Sequence, residues 1–64
     1  MTAVGHAIKA QQAERRASYA EALANYRAAW RAGKQEHIGD DWLMGIARLY
    51  WNLAAFIGVQ GNLY

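Results

Sequence analysis

The run from Asp41 to Val59, DWLMGIARLYWNLAAFIGV, is apolar almost all the way round, and it governs what the chain can become. Advanced at about 100° per residue, Trp42, Ile46, Leu49, Leu53, Phe56 and Ile57 fall on one side of a helix. Ala47, Ala54 and Gly58 form a small-residue ridge beside them, and only Arg48 and Asn52 interrupt the pattern, away from the large side chains. Such a helix needs cover over most of its surface, more than a chain of 64 residues can supply. The missing cover is expected from a second copy of the chain or from a larger protein.

The usual reinforcements of a small fold are lacking. There is no cysteine, hence no disulfide and no thiolate metal site, and no proline to break a helix. Apolar residues make up 55% of the chain, which favours helices that associate over disorder. Three Trp and four Tyr suit buried contacts and interfaces. The start, MTAVGHAIKAQQAERR, holds no apolar run of signal-peptide length, and with the absence of cysteine this gives a cytoplasmic expectation.

From about residue 6 to 32 the chain is rich in Ala, Glu, Gln and Arg with no interior Gly, so it is expected to form one helix, with residues 1–5 frayed. Gly33 is the expected residue just past its C-terminus, GKQEHIG the connection, and Asp40 the N-cap of a second helix over about 40–59 that stops near Gly61-Asn62. Neither half alternates with period two, and the first lacks β-branched residues, so strands are a poor reading of either half. The expected fold is all-α: a two-helix antiparallel hairpin, one domain over residues 1–64, completed by oligomerisation or a larger partner.

The first helix carries two apolar faces. Ile8, Tyr19, Ala22, Tyr26, Ala29 and Trp30 share one side, and Ala10, Ala13, Ala17, Ala20, Ala24 and Ala28 run along the opposite side. Between them Lys9, Arg16, Arg27, Arg31 and Lys34 lie within about 60° of arc. The aromatic side suits the second helix, and the alanine stripe either admits another helix closely or reflects helix propensity alone. Tyr19 to Trp30, YAEALANYRAAW, resembles the second helix of a tetratricopeptide repeat, with Tyr19, Ala22, Tyr26 and Ala29 at that motif's spacing. Tyr50 to Asn62, YWNLAAFIGVQGN, is similar to the first helix of such a repeat, with Leu53, Ala54 and Gly61 in register. The two pieces stand in the reverse of their order within one repeat, and the helix-ending Pro is missing. The resemblance therefore implies a manner of packing helices and no ligand.

No chemistry-bearing constellation is legible. His6 and His37 lie far apart with no carboxylate at ligand spacing, which gives no metal site and no cofactor. Ser18 has no histidine at helical spacing, and Asp40 and Asp41 are explained by capping, so no catalytic residue is assigned. The favoured function is a non-enzymatic protein–protein interaction module: an accessory subunit, adaptor or inhibitor that self-associates or docks on a larger partner. Its interface is expected from Tyr19, Tyr26, Trp30, Trp42, Ile46, Leu49, Leu53, Phe56 and Ile57, with Arg16, Arg27 and Arg31 as a charged rim. One alternative is charge-driven binding of nucleic acid or an anionic membrane surface through the Lys9, Arg16, Arg27, Arg31 and Lys34 stripe. A second alternative is a small membrane-complex subunit inserting residues 42–59, against which stand the mid-helix Arg48 and Asn52.

Overall fold

The computed structural model describes residues 2–61, with side chains as far as Gly58. It is all-helical, but with three helices in place of the expected two: α1 (Ala3–Arg15), α2 (Tyr19–Gln35) and α3 (Asp40–Gly61). The expected first helix is thus divided at Arg16–Ser18, and the two-helix hairpin over about 6–32 and 40–59 is corrected to a three-helix chain.

The division has a specific backbone cause. Ala17 takes φ 60°, in the left-handed region. The Ser18 N–H then donates to the Ala13 carbonyl at 2.8 Å and the Ala17 N–H to the Glu14 carbonyl at 3.0 Å, closing α1 in the Schellman pattern. The second turn repeats the device. His37 has φ 58°, the Ile38 N–H donates to the Gly33 carbonyl at 2.9 Å, and the His37 N–H to the Lys34 carbonyl at 3.2 Å. Both turns hold the left-handed position with a residue that carries a Cβ, where glycine is the usual occupant.

Helix ends differ from expectation in three further respects. Residues 3–5 are helical: Thr2 Oγ1 accepts from the Gly5 N–H at 3.0 Å, and the Ala3 N–H donates to Glu36 Oε2 at 2.9 Å. Gly33 lies inside α2, and a Cβ there would come within 2.8 Å of both Leu43 Cδ2 and Trp42 Cζ3. Its role is to let the start of α3 press against the α2 backbone. The Leu43 N–H donates to the Gly39 carbonyl at 3.2 Å, so Gly39 holds the N-cap position, and Asp40 and Asp41 complement the dipole from the first turn. The expected stop at Asn62 lies outside the described residues.

Packing follows chain order. Contacts Ala3–Glu36 and Glu14–Tyr26 make α1 and α2 antiparallel, while Gly33–Trp42 and Tyr19–Phe56 do the same for α2 and α3. α1 and α3 flank α2 and scarcely touch each other, giving a thin body with principal extents of 41 × 20 × 13 Å. Its core is Ala10 and Ala13 of α1, Ala22, Tyr26 and Ala29 of α2, and Ile46 and Leu53 of α3. Alanine on both sides lets the α1 and α2 backbones approach closely, each methyl contributing about 0.8 kcal/mol on burial.

Candidate interaction surface

Because α3 is apolar around most of its circumference and meets only α2, its covered strip is narrower than its apolar arc. Ile46 and Leu53 are buried, and Trp42, Leu43, Ala47, Tyr50, Ala54 and Ile57 are half-buried. On either side of that strip apolar side chains stay in water. One flank carries Leu49 and Phe56; the other carries Met44 at 55% exposure and Trp51 at 67%.

The second flank borders a groove between α2 and α3 of about 410 Å³, lined by Tyr26, Arg27, Trp30, Ile46, Ala47, Tyr50 and Trp51. Tyr50 and Trp51 meet edge to face at 5.3 Å between centroids, and Lys34 Nζ sits 4.7 Å from the Trp30 ring centroid. The groove therefore has an aromatic wall on each side and cations, Arg27 and Lys34, along the α2 rim. On the first flank Glu14, Tyr19, Leu49, Asn52, Leu53 and Phe56 line a separate depression, with Tyr19 and Phe56 edge to face at 5.8 Å.

The residues expected at the interface fall into three classes. Tyr26, Ile46 and Leu53 are buried within the chain, so their side chains hold the fold together. Tyr19, Trp42 and Ile57 are half-buried against the core. Trp30, Leu49 and Phe56 are exposed. Sequence reasoning passed over Met44 and Trp51, the most exposed of the large apolar side chains on α3. The signal was present in the helical projection: both lie beside the Ala47, Ala54 and Gly58 ridge, on its far edge from the large-residue side.

The basic stripe does not survive as one line. Lys9 is on α1, and Arg16 is the C-cap residue of α1 and pairs with Glu21. Arg27, Arg31 and Lys34 remain together on the outward side of α2. Arg27 and Arg31 also line an open depression with His6, Ala24, Ala28, Ala32 and Gln35, and His6 Nδ1 is buried without a hydrogen-bond partner among the described residues. Of the carboxylates, Glu14 accepts from the Tyr26 hydroxyl at 2.7 Å. Burial first, then that hydrogen bond and the Glu14 charge, push the Tyr26 phenol up to about 12. The pair ties the end of α1 to the middle of α2. Among the described residues no three of His, Asp or Glu converge as metal ligands, and no helix is long and apolar enough to cross a membrane. Comparison with protein-family models, curated proteins and solved structures gives no match to this chain.

Proposed function

We propose that the chain is a non-enzymatic protein–protein interaction module whose contact surface is the α2–α3 groove and its aromatic walls. The observation that carries this reading is Trp51, two-thirds exposed beside a groove that also displays Trp30 and Tyr50 under the Arg27 and Lys34 rim. Trp, Tyr and Arg are the side chains enriched at the energetic centre of interfaces. The complementary partner is an apolar helix with acidic flanks, on a second copy or on a larger protein, in the helix-in-groove mode. Residues 42–59 then serve a protein contact and not bilayer insertion.

Sedimentation equilibrium over a concentration series tests the reading, with the Trp51→Gln variant alongside. Association that is lost in Trp51→Gln supports the groove as the contact. Association that survives Trp51→Gln but collapses as salt is raised supports the charge-driven alternative through Arg27, Arg31 and Lys34. A wild-type chain that stays monomeric at every concentration and unfolds cooperatively counts against self-docking, leaving only a larger partner.

A further inference from the structure

We infer that the groove beside Trp51 is filled by α3 of a second copy of this chain, the two helices running antiparallel about a two-fold axis at Trp51. The inference rests on the interaction reading above and names its partner. On the flank of α3 that borders the groove, Met44, Ala47, Trp51, Ala54 and Gly58 recur at spacings of three and four. That is the spacing of a helix–helix seam. In projection the five span about 80° of arc, centred about 130° round the helix from Ile46 and Leu53, which are buried against α2. α3 can therefore hold α2 along one line and another helix along the second. The second line stands open in the single chain. Met44 is 55% and Trp51 67% exposed, and a Cβ added at Gly58 would meet nothing within 4 Å.

The seam is complementary to itself when reversed. A two-fold axis at Trp51 sets Met44 of each copy over Gly58 of the other and Ala47 beside Ala54 and Ala55, so large side chains meet small ones. The two Trp51 rings then meet at the axis. Charge selects the same direction. The last turn of α3 carries no basic residue, and Gly33 on α2 lies beside Trp42 on α3. The axis therefore brings Lys34 of one copy level with the carbonyl end of the other copy's α3, which a cation complements. A parallel pair would instead gather Asp40 and Asp41 of both copies at one end. With Trp30 and the Arg27 stem at its margin, the seam offers on the order of 500 Å² per copy, at the low end of specific interfaces, so a reversible dimer is expected.

Two glycines of α3 supply the test. Gly45 and Gly58 are both exposed, and each has open space for a side chain within a single copy. Gly58 lies in the seam, whereas Gly45 lies about 140° away from it in projection. Gly58→Leu is expected to keep the helical circular dichroism and to lower the dimerisation constant about a hundredfold in sedimentation equilibrium, because each new side chain collides with Met44 of the other copy. Gly45→Leu is expected to leave that constant unchanged. Direction is read from a spin label on Asp41→Cys, in a chain with no native cysteine. An antiparallel pair puts the two labels about 30 Å apart or more, and a parallel pair in register about 20 Å. A dimer with the shorter distance, or one lost in Trp51→Gln yet indifferent to Gly58→Leu, would overturn the inference while the groove reading stands. A chain monomeric at millimolar concentration overturns it too and leaves the groove to a larger protein. A dimer indifferent to both Trp51→Gln and Gly58→Leu removes self-docking in the groove along with the inference.

Discussion

The two helix–helix joints of this molecule solve the same problem with opposite materials. α1 meets α2 through alanine, and Ala3, Ala10, Ala13, Ala22 and Ala29 have no exposed surface at all. α3 meets α2 through Tyr19, Tyr26, Trp42, Tyr50, Ile46 and Leu53, larger side chains of which several are only half covered. Small side chains bring backbones together and leave little surplus, whereas large ones span the gap and overhang its edges. The alanine joint is therefore finished within the chain, apart from the strain stored at Ala17. The aromatic joint is unfinished: it overhangs at Leu49 and Phe56 on one flank and at Trp30 and Trp51 on the other, where the groove is the surface proposed for a partner.

The contrast sharpens when the residue shared by both joints is removed. Tyr26 is 1% exposed, lies in the common core and reaches Glu14 on α1, so Tyr26→Ala is expected to cost about 3–5 kcal/mol. For a chain this small that leaves little or no folded population, measurable by far-ultraviolet circular dichroism on heating. Gly33→Val attacks the aromatic joint alone. Its side chain collides with the Trp42 ring and Leu43 at the point of closest approach, and a loss of about 1–3 kcal/mol in urea unfolding is expected.

Alkaline pH probes the tie between the joints. The Tyr26 phenol is raised from 10.0 to about 12, so below pH 10 folded and unfolded chains both hold the proton and stability is unaffected. Between pH 10 and about 12 the unfolded chain releases a proton that the folded chain retains, and stability falls with rising pH by on the order of 2 kcal/mol. Tyr26→Phe is expected to remove that part of the pH dependence, read as the denaturation midpoint against pH.

Helical class and the identity of the apolar element were legible from residues 41–59, because a continuous apolar run with helical periodicity has few other outcomes. The missed break at Arg16–Ser18 was hidden for a physical reason. A left-handed turn ordinarily announces itself by Gly or Asn, and here Ala17 and His37 occupy both turns. A weaker signal was available, since Ser18 and Glu21 have the spacing of a capping box. The structure employs them otherwise, pairing Glu21 with Arg16. The break also sorts the alanine stripe: Ala10 and Ala13 are buried in a helix contact, while Ala17, Ala20 and Ala24 stay exposed. On α3 the periodicity found the right side to within one row of side chains. Which row faces α2 depends on the clearance at Gly33, a tertiary fact that helical spacing does not contain.

The central claim is that the aromatic overhang is surplus to folding, and equilibrium urea unfolding of Trp51→Gln beside the wild type tests it most directly, at dilution low enough to keep both monomeric. With Trp51 67% exposed, the account expects the unfolding free energies to agree within about 1 kcal/mol and the slopes to be equal. A loss approaching that of Tyr26→Ala would contradict it, because Trp51 would then belong to the core of the chain and not to a surface held for a partner.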